Sequence, residues 1–417
     1  MKILIYACHF TPDPIGVGKF TGEMAEWLAA QGHEVRAVVA VPFYPHWRVS
    51  GKYSAWRYTR ETVAGVEIVR CPIWVPQRQS GIARILQYLT LAISSSPVLL
   101  WWALRWRPQI VWTVMPPMTG FPIALAAAWL ARARSWLHVQ DFEVDAAFEL
   151  GILKSDRSRA LLSGLERRLM SAFDVVSSIT PKMVERLAGK RIRTRRHLFP
   201  NWADVDAIYP LGRESALRAE LKIAPGRIVA LYSGSLGEKQ GVEDLILVAR
   251  LLVDHREIQF VICGDGVGRA RLAMLAGEGL PNTHFLPVQP IERLNELLNL
   301  ADIHLLPQKS EISDFVMPSK LGGMLASGRP IIASAHSGTQ LAQEVSGAGI
   351  VVPPGDVGTM AAAIMELSGM PERRAELGAE AARRAQQHWK KTSILHLVEG
   401  EMQAMIESSK VHTDAVP

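Results

Sequence analysis

The stretch that most constrains the fold lies midway along the chain, from Leu231 to Leu245. A short apolar run at 228–232 precedes a glycine-rich loop, and helical periodicity begins at Val242. This order predicts strand, loop and helix. The N–H groups that open such a helix favour an anion, and Lys239 would add a positive charge. The stretch fits a diphosphate-binding turn and an ordinary turn with a surface lysine equally well.

Length and composition indicate two α/β domains. The chain has 417 residues, 48% of them hydrophobic, which exceeds what one core usually spans. Its three cysteines, Cys8, Cys71 and Cys263, are far apart in the sequence and form no CxxC pair. This argues against a disulfide framework or a zinc site and favours a reducing cytoplasm. The apolar N-terminus is too short for a secretory signal and is expected to be a buried strand.

A net charge of +6 favours anionic partners such as nucleotides, phosphorylated compounds or an acidic membrane surface. The sequence contains no nucleic-acid recognition module, so we expect no nucleic-acid partner.

The order of predicted elements gives the fold class and the domains. Strands and helices alternate from Lys2 onward and again from Ser215, which predicts two Rossmann-like, doubly wound domains that face one cleft. We place the first at 1–200 and the second at 201–389, with a helix at about 390–417 packed back on the first. Gly16 and Gly18, after the first strand, suit a tight turn or close approach of a ligand.

The segment from Ile85 to Leu104 contains no charged residue and could by length span a membrane. Ser94–Pro97 should break it, so we expect an interfacial helix pair, with a buried crossover helix as the alternative. The residues expected to contact anionic lipid are Arg84, Leu99, Trp101, Trp102, Arg105 and Arg107.

Several short motifs together resemble the donor half of glycosyltransferase family 4. They are the loop around Lys239, Cys263–Gly266, Leu300–Pro307, Pro318–Lys320 and Ala326–Pro330. The N-terminal half of the family pattern agrees as well. It matches at the glycines near residue 16, at Gly32–Val35 and at Pro200–Asn201, where the chain crosses between the domains. Within the family the chain is most similar to the WcaI type, the colanic-acid branch that acts on undecaprenyl-diphosphate-linked sugars.

The resemblance implies a GT-B fold and a retaining, metal-independent transfer from a nucleotide sugar, with GDP-fucose favoured. No cofactor or metal site is expected. The acceptor would be polyprenyl-diphosphate-linked, and the enzyme peripheral at the inner face of the bacterial plasma membrane. The diphosphate would contact Gly16, Gly18, Ser235, Lys239 and Lys320. The base and sugar would contact Gly234, Gly264, Asp265, Gly266, Val288, Leu294, Glu311, Asp314, Pro318, Ser319 and Asn201.

The chain departs from the family pattern at three places. Ser235 stands where a basic residue is common, and Phe315 and Gly323 stand where paired glutamates are expected. Gln140 replaces a histidine, so Asp141, Glu143 or Asp145 becomes the candidate to orient or deprotonate the acceptor, with helix capping as the alternative. These losses leave open a catalytically degenerate partner protein or an enzyme that uses a soluble acceptor.

Overall fold

The computed structural model describes residues 1–13, 16–44, 47–49, 51–77, 80–149, 155–237, 240–266, 268–277, 280–309 and 317–413. The chain divides into two compact units. Unit 1 comprises Met1–Asn201 with Thr392–Pro417, and unit 2 comprises Trp202–Lys391.

Unit 1 is built on a sheet that, within the described residues, has eight strands in the order β3-β4-β2-β1-β5-β6-β7-β8. All neighbours are parallel except the β3–β4 pair. Its strands are β1 Lys2–Ala7, β2 Glu34–Ala40, β3 Thr59–Val63, β4 Val66–Cys71, β5 Ile110–Met115, β6 Arg134–Val139, β7 Val175–Ser178 and β8 Arg195–Leu198. Its helices are α1 Gly16–Ala30, α2 Gly81–Arg105, α3 Phe121–Ala131, α4 Glu143–Glu149, α5 Asp156–Met170, α6 Pro181–Gly189 and α15 Lys391–Thr413.

Unit 2 contains a parallel sheet whose six strands, among the described residues, run in the order β11-β10-β9-β12-β13-β14. They are β9 Ile228–Ser233, β10 Ile258–Cys263, β11 Thr283–Leu286, β12 Ile303–Leu306, β13 Ile331–Ser334 and β14 Gly349–Val352. The helices are α7 Leu217–Glu220, α8 Val242–Leu251, α9 Arg269–Ala276, α10 Leu294–Leu300, α11 Leu321–Ala326, α12 Gln340–Val345, α13 Val357–Gly369 and α14 Pro371–His388. Both units are thus Rossmann-like, which confirms the predicted fold class.

Each sheet reverses its winding at one place. In unit 1 the strands on either side of the reversal are β1 and β5, and in unit 2 they are β9 and β12. Doubly wound sheets bind ligands in the crevice outside the carboxyl ends of such strands. The loops after these four strands are therefore where a site is expected in each unit.

The predicted helix break at Ser94–Pro97 is wrong, because α2 continues through it from Gly81 to Arg105. The hydroxyls of Ser95 and Ser96 each donate a hydrogen bond to the Ala92 carbonyl, so both serines are satisfied inside the helix. Burial of Leu91, Leu99 and Trp102 in the unit 1 core outweighs the one hydrogen bond that proline removes. The interfacial helix pair is thus one helix, and its Leu99 and Trp102 belong to the core.

Candidate functional site

Two loops interlock at the carboxyl edge of the unit 2 sheet. Gly234 N–H donates to the Cys263 carbonyl and Leu236 N–H to that of Asp265, each at 2.9 Å, and Gly268 N–H returns a bond to Leu236. A β-carbon at Gly264, whose φ is +156°, would overlap the Gly234 carbonyl oxygen. Glycine is required here because two backbones touch, and the contact fixes the floor of the crevice.

Lys320 reaches this floor from the residue that precedes α11. Its Nζ lies 4.1 Å from the centre of the Tyr232 ring, and a β-carbon on Gly234 would lie 3.3 Å from it. The Nζ is buried and has no hydrogen-bond partner among the described residues. Burial lowers the pKa of Lys320 to about 7. A buried amine without an acceptor costs stability, and an anion bound at Gly234 would satisfy it.

The other predicted donor residues have different surroundings. Four of them are exposed: Ser235, Asp265, Val288 and Ser319. Pro318 lies two residues before Lys320, and its carbonyl accepts a hydrogen bond from Leu321 N–H. Gly266 N–H bonds the carboxylate of Asp265 at 2.8 Å. Lys239, Glu311, Asp314 and Phe315 lie outside the described residues.

Leu294 begins α10, and its partly buried side chain packs against two apolar clusters of unit 2. Its predicted contact with the base stays a prediction. Gly323 lies inside α11, where a β-carbon would meet Leu298 and Ile208 at 3.3 and 3.5 Å. The missing glutamate position therefore faces an apolar neighbourhood.

The unit 1 reversal carries Gly16 and Gly18 at the start of α1. Gly16 has a φ of +66°, and a β-carbon there would meet nothing within 4 Å, so its backbone is open to a ligand. Gly18 is buried against Asp13, which a β-carbon would overlap, and its predicted contact with the diphosphate stays a prediction. Its lack of a side chain serves packing.

A polar network closes the end of β6. Gln140 exchanges two amide hydrogen bonds with Asn201, at 3.0 and 3.1 Å, and contacts His138 Nε2 at 2.9 Å. Burial lowers the pKa of His138 to about 3, so its ring is neutral and bonded to Ser177. Asn201 is thus hydrogen-bonded to Gln140 within unit 1, and its predicted contact with the donor base or sugar stays a prediction.

The three carboxylates after β6 have different surroundings. Asp141 is exposed. Glu143 opens α4 and accepts a 2.8 Å bond from Met118 N–H, after β5; burial raises the pKa of Glu143 despite that bond. Asp145 pairs with Arg186 at 2.7 Å and Lys190 at 3.0 Å, so it is a member of an ion-pair network.

Sequence reasoning missed a pair beside β1. His9 Nδ1 lies 3.1 Å from Asp13 Oδ2, and the second oxygen of Asp13 is buried with no partner among the described residues. The two are four residues apart in the loop after the strand, and this spacing was the available signal. With Asp141 and Glu143 they place a histidine and three carboxylates after β1 and β6, the strands that flank β5.

The outward face of α2 and neighbouring α3 form an apolar area, the α2/α3 surface. Its members on α2 are Ile82, Ile85, Leu86, Leu89, Ile93, Pro97, Trp101 and Leu104, and those on α3 are Trp129 and Leu130. Exposed Arg84, Arg105 and Arg107 flank it, with the guanidinium of Arg105 5.7 Å from the Trp101 ring. By length and composition α2 could cross a membrane, but 33% of its most apolar window is buried within the structure.

Comparisons with known proteins agree with this geometry. A model described as a glycosyl transferase 4-like domain matches residues 16–202, and one for glycosyl transferases group 1 matches 214–384. WcaI of Escherichia coli K12, a glycosyl transferase named for colanic acid biosynthesis, is 38% identical over 382 residues, which cover 89% of this chain and 93% of that one.

Solved structures show the same fold at low identity. Sucrose-phosphate synthase from Thermosynechococcus elongatus has a TM-score of 0.73 at 17% identity and covers 98% of this chain and 99% of its own. HepE of Anabaena, in complex with UDP, has a TM-score of 0.70 at 13% identity, with 97% and 100% covered. The chain therefore belongs to glycosyltransferase family 4 and is a glycosyltransferase of the WcaI type with the GT-B fold.

Proposed function

We propose that this glycosyltransferase moves a sugar from a nucleotide sugar to an undecaprenyl-diphosphate-linked saccharide in colanic-acid-like exopolysaccharide synthesis. GDP-fucose is the favoured donor, and other GDP- or UDP-sugars are the alternatives. The observation that carries the proposal is the buried Nζ of Lys320 beside Gly234 at the reversal of the unit 2 sheet, which has no hydrogen-bond partner in the part of the chain that the structure describes. The similarity to WcaI supports the pathway.

The chemistry requires that charge on the departing diphosphate be neutralised. When the bond from the anomeric carbon to the phosphate oxygen breaks, negative charge grows on that oxygen, and in this proposal Lys320 stabilises it. Lys239, which lies outside the described residues, is the second lysine that the sequence predicts for this role. The acceptor hydroxyl forms the new bond to the same carbon on the same face, with retention, and its proton passes to Asp141.

Calorimetry with GDP and UDP, followed by detection of nucleoside diphosphate release from their sugars, tests the proposal. We expect one nucleotide to bind at least about tenfold more tightly, and its sugar to be turned over with a lipid-linked acceptor. Binding without release in the presence of any acceptor would instead support a catalytically degenerate partner.

We also expect metal independence. The described residues contain no group of three or more histidine, cysteine or acidic side chains that could hold a metal ion. A chelator should therefore change turnover by less than about twofold, because lysine does the work of a metal at the leaving group. A steep loss that added Mg²⁺ or Mn²⁺ restores would contradict this prediction.

A lipid-linked acceptor requires the enzyme to work at a membrane. The α2/α3 surface supplies apolar area, and each flanking arginine adds about 1 kcal/mol of attraction to anionic lipid. We expect co-sedimentation with acidic vesicles, partial release by high salt and full release by detergent, since salt screens only the charges. Failure to sediment with acidic vesicles would remove the membrane part of the proposal.

A further inference from the structure

A second cationic site lies in unit 1, apart from Lys320 in unit 2. A cavity of about 420 Å³ opens between α5 and α6, a volume within the range of small-molecule sites. Five cationic side chains and one carboxylate line it: Arg159, Arg167, Arg186, Lys190, Arg191 and Asp145.

Two of the five cations are already neutralised. Arg186 and Lys190 pair with Asp145, and Lys190 also contacts the buried carboxylate of Glu166 at 2.6 Å. Together the two carboxylates offset these two charges and hold the ends of the side chains in place. The pairs leave the remaining charge of the cavity wall to three arginines.

Arg159, Arg167 and Arg191 have no ion pair with any described residue. All three are exposed, and the guanidinium of Arg159 lies 5.3 Å from the Phe148 ring, which orients it. Small residues make room between them: β-carbons at Gly164 and Gly189 would meet nothing within 4 Å. Like charges gathered around open space repel one another, and a bound anion would offset that repulsion.

We propose that this cavity binds a phosphate-bearing group. Guanidinium groups pair with phosphate oxygens through two parallel hydrogen bonds, which makes arginine better suited than lysine to this ligand. Two sources carry the same chemistry, a free diphosphate and a phospholipid headgroup. The exposed Leu161 and Leu165 on the outer side of α5 would suit the second source. The inference does not depend on the donor or acceptor proposed above.

The test uses the full chain with Lys320→Met, which weakens diphosphate binding at the unit 2 site, and every comparison is made within this background. Inorganic diphosphate is titrated by calorimetry into this protein and into two further double variants of it. Arg159→Gln with Arg167→Gln removes two cations from the cavity. Arg157→Gln with Arg168→Gln removes the same charge from exposed positions of the same helix that do not line the cavity, and thermal unfolding checks all three folds.

We expect the cavity variant to bind diphosphate at least about tenfold more weakly, and the matched control to change by less than about twofold. Vesicles of phosphatidylcholine with and without phosphatidic acid form the second arm. Loss confined to phosphatidic acid vesicles would assign the cavity to a lipid headgroup, and loss of soluble diphosphate binding would assign it to a free ligand. Equal behaviour of the cavity variant and the control in both arms would overturn the proposal.

Discussion

At the scale of single residues, Lys320 joins function to a cost in stability. Burial lowers the pKa of Lys320 from 10.5 to about 7. Between these pH values the unfolded chain holds one proton more than the folded chain, so the penalty for burying the amine is complete below pH 7 and decreases as pH rises toward 10.5. A site that binds an anion retains such a residue because the ligand removes the penalty.

Lys320→Met should therefore stabilise the unliganded protein and inactivate it. We expect a gain of about 1–3 kcal/mol in unfolding free energy below pH 7, shrinking as pH rises, because an unsatisfied polar group is removed. The transition state should lose about 3 kcal/mol of stabilisation, which lowers turnover. Denaturant titration at several pH values and a release assay measure both. Lys52→Met, at an exposed lysine, is the control, and a destabilised Lys320→Met protein would argue against an empty anion site.

The carboxylates after β6 can be separated by matched amide substitutions. Asp141→Asn should lower kcat by about a hundredfold with little change in donor affinity, if Asp141 accepts the proton of the acceptor hydroxyl. Glu143→Gln should stay within about twofold, since the amide oxygen can still accept the bond from Met118 N–H. Steady-state kinetics with both substrates varied distinguishes them. The opposite pattern would transfer the catalytic role to Glu143.

At the scale of elements, helix α2 has one face buried in the unit 1 core and one face exposed to solvent. Leu99 and Trp102 are 0% and 4% exposed, whereas Ile93 and Trp101 are 72% and 61% exposed. The two tryptophans are adjacent in sequence, and helical geometry turns neighbouring residues to different sides. Membrane contact can therefore involve only the outward stripe, and the inward one belongs to the unit 1 core.

Substitutions on the two faces should have opposite consequences. Ile93→Ser with Trp101→Ser and Leu104→Ser should cut binding to acidic vesicles and use of a lipid-linked acceptor while the fold and donor binding persist. Leu99→Ala should cost about 2–5 kcal/mol of stability through the cavity it leaves. Vesicle sedimentation and thermal unfolding measure these effects. If the triple variant keeps full vesicle binding, the α2/α3 surface is not the membrane contact.

At the scale of the whole molecule, the chain returns to unit 1 through α15. Ile394, Leu395 and Met402 of this helix are buried. His33 Nε2 lies 2.8 Å from Glu399, and Arg195 contacts Glu401 at the same distance. The contacts within unit 1 thus join residues from opposite ends of the sequence.

A chain that ends at Lys391 should fail to fold unit 1. Five apolar side chains of α15 would be lost, Val398 and Met405 included, and each contributes about 1.5–3 kcal/mol when buried. That sum, about 7.5–15 kcal/mol, is as large as the roughly 5–15 kcal/mol that stabilises a typical domain. Circular dichroism and limited proteolysis would show the loss, and a chain that ends at Thr413 is the control. A stable unit 1 in the shorter chain would contradict this prediction.

The sequence alone determined the features that depend on local patterns. Apolar runs of strand length alternate with helical periodicity, so most strands and helices of both Rossmann-like units could be predicted. Edge strands β3 and β8 were missed because they are short, polar and largely exposed, and pair only once the sheet exists. The glycines of the unit 2 loops and Lys320 were recognised by type and spacing.

The tertiary structure decided what each side chain does, because packing partners come from distant parts of the chain. Asp145 is neutralised by cations about 40 residues away, Asn201 is bonded to Gln140, and Gly18 is small because Asp13 lies against it. Packing of α2 on the sheet overrode the proline at 97 and divided its tryptophans between core and surface. Lys320 is the reverse case: the sequence marks a lysine, and only the fold buries its Nζ over the Tyr232 ring without a hydrogen-bond partner among the described residues.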